Sequence, residues 1–91
     1  MNKPKNTMKV SFPSRGANEG LARMLVAAFI TEADPTVEEL CDIKTAVSEA
    51  VTNCIVHAYP DRIGEIYIAA SLSESNLVTI KVRDHGCGIA D

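Results

Sequence analysis

The feature that most constrains the fold is an apolar stripe in the middle of the chain. Apolar residues recur there at intervals of three and four over about five helical turns, at Leu40, Ile43, Val47, Ala50, Val51, Cys54 and Ala58. Such spacing is typical of a long amphipathic helix with one buried face. Thr36, followed three residues later by Glu39, matches a capping box and predicts where this helix begins.

A polar stripe borders the apolar one in the second half of the same predicted helix. At about 100° per residue, Glu49, Asn53 and His57 fall close to one line. A carboxylate and an amide therefore lie at the edge of the buried face. A histidine at a helix end more often packs or faces the helix dipole than serves a site, so His57 is the weaker candidate.

Shorter patterns flank the long helix. Alternation from Met8 to Phe12 predicts a strand ended by Pro13, and a helix is predicted from about Glu19 to Thr31. The predicted buried stripe of that helix is Leu21, Met24, Leu25, Ala28 and Phe29. Runs 65–72 and 77–84 predict a β-hairpin with a four-residue connection. The order of elements predicts a single α+β domain, a two-layer sandwich with helices on one face of a mainly antiparallel sheet.

A carboxylate ends the last predicted strand. By the alternation of a strand, Asp84 shares a face with the apolar residues Val78, Ile80 and Val82. A carboxylate directed toward the helices needs a hydrogen-bond partner. Gly86 and Gly88 follow, and two interpretations stay open: Asp84 accepts from the backbone amides of its own glycine turn, or it hydrogen-bonds the amino group of a ligand.

Composition narrows the classes of function. The 91 residues allow one small domain, and the net charge of -3 argues against nucleic-acid binding by electrostatics alone. No apolar run reaches the ~18 residues of a membrane span, and residues 1–9 lack the core of a signal peptide, so we expect a cytoplasmic protein. The three cysteines, Cys41, Cys54 and Cys87, are an odd number at wide spacing, which favours reduced thiols.

Two motifs together carry a resemblance to a known family. Glu49-x-x-x-Asn53 on a helix, followed after a strand by Asp84-x-Gly86-x-Gly88, resembles the N box and first glycine box of the GHKL superfamily, which includes gyrase, histidine kinases and MutL. Within that superfamily, stretches 34–40 and 43–53 resemble the anti-sigma F family of spore-forming bacteria, whose members are serine kinases that also sequester a sigma factor. The resemblance covers nearly the whole chain from Met8 and implies part of the Bergerat ATP-binding fold.

The resemblance also implies a role for each motif residue. Glu49 would be the catalytic general base or would orient the hydroxyl, and Asn53 would bind Mg²⁺. Asp84 would accept a hydrogen bond from the adenine amino group of ATP or ADP, with Gly86 and Gly88 shaping the pocket. The family's nucleotide lid and second glycine box have no counterpart up to Asp91, so we expect the chain to be the N-terminal part of a kinase domain.

Partners are implied by the resemblance as well. Arg23 lies off the predicted apolar stripe of the first helix, where it either belongs to a solvated helix face or, as in the family, contacts a partner. The implied partners are a sporulation sigma factor and an anti-anti-sigma factor that is phosphorylated on serine. The resemblance further implies a homodimer, and from charge and hydropathy we expect no direct contact with nucleic acid or membrane.

Two alternatives belong to other classes of function. Cys54 and His57, with His85 and Cys87, supply four zinc-type ligands, although neither spacing is that of a usual zinc finger or ribbon. The other alternative is a non-catalytic module of the same superfamily that binds a nucleotide or a partner.

Overall fold

The computed structural model describes residues 3–85 of the chain. Its elements in chain order are strand β1 (Pro4–Pro13), helix α1 (Ala17–Ile30), a 3-10 turn (Thr31–Ala33), helix α2 (Val37–Asn53), a π-helical turn (Cys54–Ala58), strand β2 (Glu65–Ser73) and strand β3 (Val78–Asp84). The strands form one antiparallel sheet in the order β1-β2-β3, and both helices pack on one of its faces. The predicted α+β sandwich is confirmed.

Alternation along β2 separates the two faces of the sheet. The residues that it buries under the helices are Ile66, Ile68, Ala70 and Leu72. Between them, Tyr67 and Ala69 face outward, where Tyr67 pairs in register with Arg83 of β3. On β3 the half-buried residues are Val78, Ile80, Val82 and Asp84. This confirms that the four share one face of the strand, and it turns Asp84 toward the helices.

Helix α2 begins and packs as its sequence predicts. The Glu39 backbone N–H donates to Thr36 Oγ1 at 3.0 Å, and the Thr36 N–H donates to Glu39 Oε1 at 2.9 Å, so the capping box is complete. Val47 and Val51 are buried in α2, and Cys54 and Ala58 are buried in the π-helical turn that follows. The apolar stripe therefore continues past the end of the α-helix.

Helix α1 buries a different face from the predicted one. Its buried residues are Ala22, Val26 and Ile30, whereas Leu21 is 44% exposed and Met24 is 70% exposed. Nine of the ten residues from 21 to 30 are apolar, so hydrophobicity alone allows several positions for a buried stripe. The predicted stripe was wrong because almost the whole circumference of this helix is apolar and tertiary packing selects the face.

The hairpin lies close to its predicted bounds, but the first strand begins four residues earlier than predicted. Strand β1 is longer than expected because pairing with β2 extends from Pro13 back to Pro4, with an irregularity between Pro4 and Asn6. The connection between β2 and β3 has four residues, as predicted, and Asn76 there adopts a left-handed conformation with φ of 69°. Across residues 3–85, no helix is both long and apolar enough to cross a membrane.

Candidate nucleotide site

A shallow cleft lies between the end of α2 and the end of β3. It has a volume of about 380 Å³ and is lined by Ala50, Asn53, Cys54, His57, Ala58, Val82 and Asp84. Asn53 reaches the cleft from the last residue of α2, and Asp84 reaches it from the last residue of β3. The structure thus brings together an amide and a carboxylate that are far apart in the sequence.

Glu49 lies one helical turn before this cleft. It lines a neighbouring depression of about 380 Å³ together with Ser48, Thr52 and Asn53. Asn53 is shared by both hollows, and the side chains of Glu49 and Asn53 are exposed to solvent. An exposed carboxylate beside an exposed amide can accept a proton from an approaching hydroxyl while the amide oxygen binds a hard cation.

Asp84 has a direct partner on the helical side of the cleft. The Cys54 thiol donates a hydrogen bond to Asp84 Oδ2 at 3.3 Å, and Cys54 is only 6% exposed. Burial, the hydrogen bond and the negative charge of Asp84 together raise the pKa of the Cys54 thiol from 9.0 to about 12. Cys54 therefore stays protonated, and remains a donor, at neutral pH.

The backbone changes from an α-helix to a π-helical turn at the cleft. The Tyr59 N–H donates to the Cys54 carbonyl at 3.1 Å, a bond that spans five residues rather than four. A π-helical turn often occurs at functional sites, because its extra residue changes the direction of the side chains that follow. His57 lies within this turn, exposed and beside Asn53 and Asp84 in the cleft wall.

Tyr59 anchors residues next to the cleft and was missed by the sequence analysis. Its buried hydroxyl donates to the Glu65 carbonyl at 2.9 Å and accepts from the His85 N–H at 2.6 Å. Those contacts tie the end of the π-helical turn to the start of β2 and to the residue after Asp84. Gly64 is needed beside it, since a Cβ at that position would overlap the Tyr59 ring. A tyrosine directly before Pro60 gave no periodic signal by which it could have been found.

Arg23 is not a freely solvated side chain. Its Nη1 donates to Glu19 Oε2 on the same helix at 3.0 Å and to Ser48 Oγ on α2 at 3.1 Å, and its side chain is 39% exposed. Ser48 precedes Glu49, so Arg23 lies at the α1–α2 contact close to the depression that Glu49 lines.

Some predicted residues lie outside the described range or apart from one another. Gly86 and Gly88 of the glycine motif, and Cys87 of the zinc alternative, are not among the described residues. The His85 ring packs edge-on against Tyr67, which belongs to the outer face of the sheet, whereas Cys54 is buried on the helical face. Within residues 3–85 no group of three or more His, Cys, Asp or Glu side chains could hold a metal ion, so the structure does not support the zinc alternative there.

Comparison with known proteins identifies a family and several relatives. The family described as "Histidine kinase-like ATPase domain" matches residues 12–91. Similar proteins include the anti-sigma F factor of Thermoanaerobacter sp. (strain X514), 56% identical over 86 residues that form 94% of this chain and 59% of that protein. That of Clostridium kluyveri is 51% identical over 84 residues (92% and 58%), and that of Priestia megaterium is 49% identical over 86 residues (93% and 58%). The chain thus spans less than two thirds of the length of these relatives.

Proposed function

The chain belongs to the histidine kinase-like ATPase domain family, and we propose that it is the N-terminal part of a cytoplasmic anti-sigma factor with protein serine kinase activity. In this proposal the protein sequesters a sporulation sigma factor and uses Mg-ATP to phosphorylate an anti-anti-sigma factor on serine. The observation that carries the proposal is the cleft that Asn53 and Asp84 share. The anti-sigma F factors that are 49% to 56% identical to this chain support the same assignment.

Asp84 is the proposed acceptor for the adenine amino group. A carboxylate has two oxygens with about four acceptor positions, so it can accept from an amino group while it accepts from Cys54. Its half-buried position at the strand end strengthens such a bond, because water competes less there. The glycines at 86 and 88 are proposed to let the base approach the backbone.

Asn53 is the proposed magnesium ligand. Its amide oxygen is a hard donor, and a single protein ligand is compatible with an ion that keeps several waters and binds substrate phosphates. The side chain fits this role because it is exposed and borders both hollows. Bound Mg²⁺ would neutralise charge on the transferring phosphoryl group.

Glu49 is the proposed general base toward the serine hydroxyl. It lies one turn from Asn53, so a hydroxyl that reaches it is held near the phosphate end of a nucleotide whose base lies at Asp84. No covalent intermediate on the protein is needed, because phosphoryl transfer depends mainly on positioning and charge.

A kinase assay on the full-length protein tests these roles. We expect Glu49→Gln to keep ATP binding and to lose roughly two to four decades of serine phosphorylation, since an amide cannot accept the proton. Glu38→Gln, the same change at an exposed position in the first turn of α2, is the matched control and should stay active. Asn53→Ala should weaken Mg-ATP binding but not adenosine binding, whereas Asp84→Asn should weaken both.

The outcomes separate the kinase from its alternative. Undiminished phosphorylation by Glu49→Gln would remove Glu49 from the chemistry. ATP binding by a wild-type protein that transfers no phosphate to any anti-anti-sigma factor would favour the non-catalytic binding module instead.

The outer surface of α1 is the proposed partner surface. Leu21 and Met24 expose apolar area there, and Arg23, at the neighbouring α1–α2 contact, has a side chain that is 39% exposed and so accessible to a partner carboxylate. Met24→Glu should weaken sigma-factor binding in a pull-down and leave the melting temperature unchanged, because Met24 is exposed. Sigma-factor binding that survives Met24→Glu would exclude this surface.

The proposal also includes a homodimer, which sedimentation of the full-length protein can test.

A further inference from the structure

The Cys54–Asp84 hydrogen bond joins the two walls of the cleft. Cys54 begins the π-helical turn and Asp84 ends β3, so their contact connects the helical layer with the sheet. The donor–acceptor distance is 3.3 Å, and both side chains also line the cleft. A buried cysteine usually acts as a small apolar residue, but here its polar atom is directed at the carboxylate to which the adenine contact is assigned.

Orientation of that carboxylate matters for recognition of a base. A carboxylate that rotates freely presents its oxygens in many directions, and ordering it costs part of the binding free energy. A thiol that donates to Oδ2 is one contact that restricts this rotation before any ligand arrives. A carboxylate has about four acceptor positions, so accepting from a thiol is compatible with accepting from an amino group as well.

We propose that Cys54 is a positioning residue of the nucleobase site, whose thiol holds Asp84 in the orientation that accepts a hydrogen bond from the exocyclic amino group of adenine. This inference rests on the proposed function and deepens it, because it adds a residue that determines base specificity. Cys54 touches the carboxylate and acts on the ligand only through it.

The two possible roles of Cys54, filling space in the core and orienting Asp84, predict different effects on nucleotide binding. If Cys54 only fills space, Cys54→Ala disturbs the cleft for every purine nucleotide by the same factor. If it orients Asp84, the loss is confined to nucleotides with an amino group at the Asp84 position, and Cys54→Ser restores binding because a hydroxyl also donates.

The first experiment tests the pair without a ligand. The Cys54 thiol is titrated by NMR of the labelled cysteine Cβ in the full-length protein, with the exposed Cys41 as internal reference. We expect Asp84→Asn to lower the pKa of Cys54, since the negative charge that disfavours the thiolate is gone, and to leave Cys41 unchanged. An unchanged Cys54 titration would overturn the proposal.

The second experiment measures base selectivity. Dissociation constants are determined for ATP and for purine riboside triphosphate, which lacks the amino group, with wild type, Cys54→Ala, Cys54→Ser and the control Cys41→Ala. We expect Cys54→Ala to weaken ATP binding by roughly 2- to 12-fold, the range for one hydrogen bond, and to leave the other nucleotide unchanged. Cys54→Ser should recover most of the ATP affinity, and Cys41→Ala should match wild type.

Each other outcome overturns a defined part of the argument. Equal loss for both nucleotides, or no loss for either, would reduce Cys54 to packing and overturn its positioning role. If the wild-type protein binds no ATP although the thiol titration responds to Asp84→Asn, the proposed nucleotide site itself fails, and the role of Cys54 toward adenine fails with it.

Discussion

Removal of one oxygen atom from Tyr59 should have a large effect for so small a change. In Tyr59→Phe the ring remains, but the Glu65 carbonyl loses its donor at 2.9 Å and the His85 N–H loses its acceptor at 2.6 Å. Each hydrogen bond contributes about 1 kcal/mol net, so the expected loss in the free energy of unfolding is about 2 kcal/mol. For a domain of this size that corresponds to a fall in melting temperature of roughly 8 to 16 °C.

The chain contains a matched control for this experiment. The Tyr67 hydroxyl also bonds to Glu65, but it donates to the carboxylate Oε1 at 3.0 Å on the exposed outer face of the sheet. That hydrogen bond raises the pKa of Tyr67, yet water can replace it in Tyr67→Phe. We expect this control to change the free energy of unfolding by about 0.5 kcal/mol or less.

Melting curves followed by circular dichroism compare the two variants with wild type, and hydrogen exchange reports on the His85 amide. Exchange at His85 should accelerate in Tyr59→Phe and not in Tyr67→Phe. If the two variants melt at the same temperature, or if the His85 amide keeps its protection in Tyr59→Phe, then Tyr59 does not hold the end of β3.

Three further predictions concern α1, α2 and the cleft. Thr36→Ala should lower the free energy of unfolding by about 1 kcal/mol by removing the capping box, whereas Thr45→Ala, at an exposed position within α2, should be neutral or stabilising by about 0.5 kcal/mol. The free energy of unfolding should fall as pH rises from 9 toward about 12, because the unfolded chain loses the Cys54 proton at lower pH than the folded chain. Urea midpoints measured across this pH range should show that fall in wild type, and the contribution of Cys54 to it should be absent in Cys54→Ser. Arg23→Ala should lower the free energy of unfolding by about 1 kcal/mol or less. Arg23→Lys keeps the charge but not the planar guanidinium, so it tests whether the geometry of the bond to Ser48 contributes to stability.

Local patterns predicted those parts of the fold that depend on neighbouring residues. The Thr36–Glu39 box and the four-residue hairpin connection are short-range features, and the structure has both. The inward direction of Asp84 followed from strand alternation and is confirmed as well. In each case a single periodicity or side-chain chemistry is sufficient to determine the local structure.

Long-range packing decided what the sequence did not predict. Helix α1 is apolar on nearly all sides, so the choice of Val26 rather than Met24 for the core depends on α2 and the sheet. Similarly, Arg23 was considered either solvated or free to bind a partner, whereas its guanidinium contacts Ser48, which is 25 residues away. The π-helical turn after Asn53 continues the apolar stripe and so left no mark in its spacing.

The candidate site was predicted at the level of residues but not of their supports. Asn53 and Asp84 share a cleft as the two motifs together suggested, while Cys54 was counted in the apolar stripe and as a ligand of the zinc alternative, not as a partner of Asp84. Its hydrogen bond to Asp84 depends on the distance between a helix and a strand end, which no spacing in the sequence specifies.

The two ends of the site differ in how the fold holds them, and this difference determines how variants should be interpreted. Asp84 is half-buried, bonded to Cys54, and next to the residue that Tyr59 anchors, so changes there should alter stability and the proposed base binding together. Glu49 and Asn53 project from the surface of a capped, well-packed helix, so their replacement should remove the proposed chemistry or metal binding at little cost in stability. Weaker ATP binding by Asp84→Asn is therefore evidence for adenine recognition only when the melting temperature of the same sample is close to that of wild type. Loss of phosphorylation in Glu49→Gln, by contrast, can be assigned directly to the missing carboxylate.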